Sequence, residues 1–347
     1  MNAQEYLKTE LETAGKYQLN EEDKKYLAKF GIKEFIYKSL TRKKFRRLKV
    51  TPETEQRVRT EIDMAVDNTE PLQVVFVMGA YKLWSLTSFP YPDWAEFFAI
   101  AHYLKYLAPI AAAYAPGVKP IYYQHTLLME LHDNLTTSEI NCYINNFQKL
   151  LDKFNRFSQP NLLLQTIKDS DIYPRERYFQ SLQKHYADAE KNYKYLSIEK
   201  QNRLKEHGRI NIKWLGKEDW TELTSGEKEG KLTQGAIYEL AAMNYLPLVN
   251  KQIKGKGKIL VFSKQFPEFL VIGSCVTSIT KFWVGKGILE WDMNKKQFYP
   301  RILSPNQLHS IDRTRINSEF VNLINLQNFE QIDLYNGRLK FQKYLKV

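Results

Sequence analysis

Only two cysteines, Cys142 and Cys275, occur in the chain, and neither sits in a paired spacing such as C-x-x-C. A disulfide framework and a cysteine-built zinc or redox site are therefore excluded. Long apolar runs are also missing. Stretches such as IAAA at 110–113 and ILVF at 259–262 fall far short of the roughly 20 residues a bilayer span requires. No transmembrane helix is expected, and a membrane is not a partner. The opening residues, MNAQEYLKTELETAG, carry acidic groups but no apolar h-region and no small-residue cleavage site, which points to a cytoplasmic protein. Several nucleotide and hydrolase signatures are absent as well: no G-x-x-x-x-G-K-[ST] loop, no G-x-G-x-x-G, no G-x-S-x-G and no H-E-x-x-H.

What is present is a chain of 347 residues, 43% apolar and 14% aromatic, with a net charge of +12. That is enough apolar matter for a real core in one large domain or two smaller ones. The charge is uneven. Residues 1–50 carry 13 Lys/Arg against 7 Asp/Glu, residues 51–70 return −4, and residues 71–150 come to −1. A basic balance favours anionic partners, either phosphorylated small molecules or nucleic acid.

Periodicity divides the chain into three parts: an N-terminal basic helical segment over 1–69, an α/β unit over 70–300 and a C-terminal extension over 301–347. NEEDKKYLAKFGIKEFIYKSL reads as helix, with Gly31 a point of division. In TPETEQRVRTEIDMAV, Thr51 suits the cap, Pro52 the first helical position, and the helix ends before Asn68. QVVFVM, between Pro71 and Gly79, reads as a buried strand, and Asp93 is placed to cap the helix that follows. YAPG breaks that helix, KPIYYQHT supplies a second strand, a helix spans about 138–154, and NLLLQTI resembles a third strand. Strands alternating with helices predict an α/β fold with a mixed, mainly parallel sheet and helices on both faces. A polar helical insertion is expected over about 173–210, as a layer over a site or a linker. TQGAIYELAAMNYLPLV is a further helix. KILVFSK, EFLVIGSCV and FWVGKGILEW read as three closely spaced strands of an antiparallel or mixed portion, and the tail reads as a loop followed by a helix.

Two basic stretches invite an anion-binding reading and a plainer one. KGKGK at 254–258 is either a phosphate cradle of exposed amides or a solvated turn. TRKKFRRLK at 41–49 either grips a phosphate backbone, with Phe45 free to stack, or forms a solvated face.

The strand-end rule for open α/β sheets singles out other residues, because ligands gather at the carboxyl ends of parallel strands. After QVVFVM comes GAYKLWS, where Lys82 is either an exposed loop charge or a ligand contact. In the second case it would hold a phosphate or carboxylate, or act as an acid or base, with Tyr81 and Trp84 as walls. After the second strand come Gln124, His125 and Thr126, a polar edge in which Gln124 and His125 are suited to binding and proton transfer. His132 reads as structural or surface.

The order of these features resembles the isocyanide (isonitrile) synthase family of the pyoverdine and dityrosine biosynthesis type. The resemblance rests on QVVFVM, the lysine loop GAYKLWS, PDWAE at 92–96 and YAPG at 114–117, and extends in layout to a helix around AIYELAAMNYL and a strand after FPEF. It implies a Rossmann-like fold and an enzyme that turns an amino acid's amino group into an isonitrile, with the carbon drawn from a pentulose phosphate. It also implies that Lys82 is a base or sugar-phosphate anchor, that no metal or other cofactor is needed, and that Lys281 and Lys286 stand where the family has an arginine-and-histidine strand. The chain departs from the family in reading G-A-Y-K-L for F-P-x-K-S, and in having QHT where an Asp-Gly pair is usual. The alternative is a basic polyanion- or nucleic-acid-binding protein on an α/β scaffold.

Overall fold

The computed structural model describes residues 3–43, 45–46, 48–78, 94–131, 135–211, 223–253, 258–262, 270–271, 286–292 and 297–303. Three helices come first: α1 (Ala3–Thr13), α2 (Glu21–Leu40) and α3 (Pro52–Asp67). Asn20 starts α2 with a capping box, its side-chain oxygen accepting from the Asp23 amide at 2.9 Å while Asp23 accepts from the Asn20 amide. Gly31, at φ +79°, divides α2 as expected. Thr51 caps α3, Pro52 occupies its first position, and the helix ends at Asn68.

Part of the basic charge of this segment is answered locally. Lys33 lies 3.2 Å from Asp63 and 2.8 Å from Asp67, and Arg59 meets Glu34 at 2.6 Å and Glu55 at 2.9 Å. Arg59 also covers the Tyr37 ring. Such half-exposed pairs contribute on the order of 1 kcal/mol or less each, but as a network they fix α2 against α3. Phe45 corrects the expectation that it is free to stack on a base. Its ring is fully buried, edge-on to Tyr103 at 5.4 Å and to Tyr106 at 5.6 Å. An aromatic ring gains more from a dry core than from water, and Arg46 turns back to donate to the carbonyls of Thr41 and Leu48.

The sheet follows. β1 (Leu72–Met78) leads through α4 (Trp94–Ala113) to β2 (Val118–Gln124). Then come α5 (Thr126–Leu131), α6 (Thr137–Phe157) and β3 (Gln165–Lys168), which runs into a 3-10 turn at Asp169–Asp171. The helical layer is α7 (Arg175–Tyr193), α8 (Ile198–Asn211) and α9 (Ser225–Ile253). β4 (Lys258–Phe262) and β5 (Leu270–Val271) complete a five-stranded sheet of order β3-β2-β1-β4-β5, parallel in every pairing. Phe76 and its register partner Tyr122 stack at 5.1 Å on one face, where Tyr103 of α4 and Phe147 of α6 close over them. The N-terminal helices enter the same core through Leu11, Ile36, Leu40, Val58 and Ile62.

Three sequence readings need correction. β4 and β5 pair in parallel, where the sequence suggests an antiparallel or mixed portion. The antiparallel portion is a separate hairpin of β6 (Lys286–Asp292) and β7 (Gln297–Leu303), in which Lys286 pairs with Leu303. β7 had been missed, since QFYPRIL contains a proline that argues against strand. Asp93, His132, Cys275, residues 254–257 of KGKGK and the tail beyond 303 lie outside the described residues. Lys258 itself begins β4, its amide donating to Glu61 and its carbonyl accepting from Arg57.

YAPG is a structural junction. The Tyr114 hydroxyl lies 2.8 Å from the carbonyl of Ala65 and 2.7 Å from that of Glu70, tying the end of α4 to the end of α3. Asn161 donates to the Ala111 carbonyl at 2.8 Å and faces those of Tyr114 and Ala115, so it satisfies the helix terminus. Gly117 holds φ +82°, and a Cβ there would stand 1.9 Å from the Asn161 carbonyl oxygen. Gly117→Ala is therefore expected to destabilise the fold by about 2 kcal/mol or more, read as a lower urea midpoint. Phe45→Ala should cost about 3–5 kcal/mol in the same measurement, whereas a solvent-facing stacking residue would cost almost nothing.

Candidate functional site

Parallel pairing brings the carboxyl ends of three strands level. Met78 of β1 is in register with Gln124 of β2, and Gln124 with Lys168 of β3. The residues immediately beyond, His125 and Asp169, are thus next to each other by backbone register alone. Both are buried, at 2% and 0% exposure. His125 continues the alternation of β2, so it shares a face with Tyr123, and the two rings meet edge to face at 5.1 Å.

Asp169 is held through one carboxylate oxygen. Its Oδ1 accepts from the Thr126 hydroxyl at 2.6 Å and from the Leu127 amide at 2.9 Å, so it satisfies a free N–H in the first turn of α5. Ser170 Oγ lies 3.1 Å from Thr126 Oγ1. Asp169 Oδ2 lies 3.7 Å from His125 Nδ1. Neither ring nitrogen of His125 has a hydrogen-bond partner among the described residues. α7 packs on the short helix beside this pair, where Tyr178 and Leu182 meet Leu127 and Leu128 of α5. The Tyr173 hydroxyl is raised above its usual pKa, mainly by burial.

The same edge carries a second buried carboxyl group. Glu96, in the first turn of α4, is 1% exposed and accepts from the Tyr143 hydroxyl of α6 at 3.0 Å. A helix N-terminus suits a carboxylate, which explains why the glutamate of PDWAE is buried there. Among the described residues no group of three or more His, Cys, Asp or Glu side chains is arranged to hold a metal ion. No helix among them is long and apolar enough to cross a membrane.

Of the residues singled out in the sequence, Gln124 and His125 lie at the β2 end, both buried. Lys286 is the first residue of β6, in the hairpin and not in the main sheet. Tyr81, Lys82, Trp84 and Lys281 lie outside the described residues. Thr126 belongs to the polar edge read from the sequence, whereas Asp169 and Glu96 were not singled out as site residues. The strand-end rule that named His125 would have named Asp169 too, had it been applied to the third strand in QTIKDSD.

No family model matches the sequence, and no curated protein is significantly similar to it. A similar fold is found in the crystal structure of the PvcA protein from Pseudomonas aeruginosa. The two share 12% identity with a TM-score of 0.52, over 83% of this chain and 94% of that one. The likeness is one of fold.

Proposed function

We propose that the chain is an isocyanide-synthase-like enzyme acting on an amino acid or similar amine, with a phosphorylated sugar as co-substrate. The observation that carries this reading is the strand order. Starting from β1, the chain moves outward to β2 and β3, then returns to the other side of β1 with β4 and β5. The order therefore reverses between β1 and β4, and open α/β sheets bind ligands outside the carboxyl ends at such a switch point. Lys82 follows Met78, the last residue of β1, by four positions. The motif order along the sequence and the fold shared with PvcA favour the same reading.

In this proposal Lys82 either anchors the sugar phosphate or acts as the base that takes a proton from the amine. Tyr81 and Trp84 wall the apolar part of the substrate, and Lys281 and Lys286 supply further positive charge for the phosphate. Gln124 and His125, at the neighbouring strand end, offer hydrogen bonds and a proton acceptor. An amine nitrogen must lose its protons before it can carry new carbon, so a site of this kind needs at least one such acceptor.

The test is direct. Purified protein is incubated with an amino acid panel and a 13C-labelled pentulose phosphate, and labelled isonitrile is sought by mass spectrometry. Lys82→Met should lower turnover by about 10²-fold or more while leaving the far-UV circular dichroism and the urea midpoint unchanged. Unchanged turnover in that variant would refute the site. A second expectation concerns the co-substrate: inorganic phosphate should compete with the sugar phosphate in the wild type, and this inhibition should weaken in Lys82→Met if the lysine is an anchor. Equal inhibition in both proteins would leave the lysine the role of base.

A further inference from the structure

We propose that Asp169 is a positioning residue for His125. Its Oδ2 holds the imidazole as the Nδ1–H tautomer and leaves the Nε2 lone pair as the proton acceptor at the carboxyl edge of the sheet. The inference rests on the proposed function only in counting His125 among the site residues, and it concerns a residue that the motif resemblance does not touch.

Three observations carry it. First, the carboxylate cannot turn freely. Oδ1 is taken by two donors, the Thr126 hydroxyl at 2.6 Å and the Leu127 amide at 2.9 Å, which leaves Oδ2 towards His125 Nδ1 at 3.7 Å. Second, both side chains are almost wholly buried, so bulk water does not screen the oxygen from the ring. Were Nδ1 the lone-pair nitrogen, two acceptors would face each other in a low-dielectric interior, where electrostatic mismatches are most costly. A hydrogen on Nδ1 turns that opposition into attraction. Third, a neutral imidazole carries one N–H and one lone pair. Fixing the hydrogen on Nδ1 makes Nε2 the acceptor, and Nε2 has no hydrogen-bond partner among the described residues. The Tyr123 ring, edge to face with the imidazole, further limits its rotation.

The consequence separates orientation from mere packing. In Asp169→Asn the position facing Thr126 and Leu127 still meets two donors, so the amide oxygen belongs there and the NH2 group turns to His125. A donor then faces Nδ1, and the stable tautomer becomes Nε2–H, which removes the lone pair from Nε2. The same logic makes an aspartate-to-asparagine change in a histidine–aspartate pair costly through the wrong tautomer.

The experiment uses the full-length 15N-labelled protein without substrate and reads histidine ring nitrogens by long-range 1H–15N correlation. His125→Gln identifies the His125 signals among the six histidines. The wild type should show His125 as Nδ1–H, and Asp169→Asn should show it as Nε2–H. A wild-type Nε2–H form, or a folded Asp169→Asn protein that keeps Nδ1–H, overturns the proposal. If Asp169→Asn does not fold, the wild-type tautomer still decides. Failure here leaves the isocyanide reading to stand or fall on Lys82→Met, and failure of that assay leaves the tautomer result untouched.

Discussion

Parallel backbone register is the constraint on which the rest of this structure depends. Hydrogen bonding between β1, β2 and β3 sets Met78, Gln124 and Lys168 level with one another. Parallel neighbours can be joined only through crossovers, so every strand end is followed by a segment that must climb over the sheet edge. Register thus decides which residues meet there, whatever their side chains. His125 and Asp169 are distant in sequence but consecutive to register partners. Their pairing needs no special loop, and the first turn of α5 gains from it because Asp169 satisfies an amide that the short helix cannot satisfy itself. Structural and chemical uses of one carboxylate therefore coincide: Oδ1 builds the fold and Oδ2 is left to orient the ring.

Two of the motifs that carry the family resemblance have contacts among the described residues. YAPG is architecture. Tyr114 ties two helix ends, Asn161 covers the free carbonyls, and Gly117 permits an approach that no side chain could survive. A fold can retain such a junction through extensive divergence without retaining any activity, because removing it costs stability directly. PDWAE also has a structural component, since Glu96 is buried against Tyr143. Lys82 lies outside the described residues, and its replacement is the experiment by which common chemistry, as distinct from a common fold, is to be judged.

Much of the fold was legible because its signals are local. Asn20, Thr51 and Pro52 mark helix starts, Gly31 and Gly117 mark breaks, and β-branched runs between them mark strands β1 and β4. Pairing direction was not legible for the C-terminal strands. Short apolar runs look alike whether they lie beside a parallel or an antiparallel neighbour, and the close spacing of KILVF and FLV suggested an antiparallel or mixed portion of sheet. Phe45 was misread for a related reason: among TRKKFRRLK its neighbours are all cationic or polar, and only the tertiary positions of Tyr103 and Tyr106 provide its cover. At the site, His125 was legible from strand-end placement. Asp169 was within reach of the same rule at the end of the third strand, but its hydrogen bonds to Thr126 and Leu127 were not, because they depend on register with β2 and on the helix that begins beside it.

The charge pattern bears on the same choice between enzyme and polyanion binder. A net charge of +12 suggests an extended anionic partner only if the cations are free and arranged along a surface. In the N-terminal segment Lys33 and Arg59 are engaged by the acidic residues of α3 and its neighbour α2, and Arg46 is turned onto carbonyls of its own chain. Their effect is to hold helices together, and the aromatic ring among them points into the core. At the strand ends two charged groups are buried with defined neighbours, Asp169 beside Thr126 and Leu127, and Glu96 beside Tyr143. Phosphate recognition by a small-molecule enzyme needs one or two well-placed cations within such a setting, not a basic face. Among the described residues these N-terminal cations serve helix packing, which weighs against reading the net charge as a polymer-binding surface.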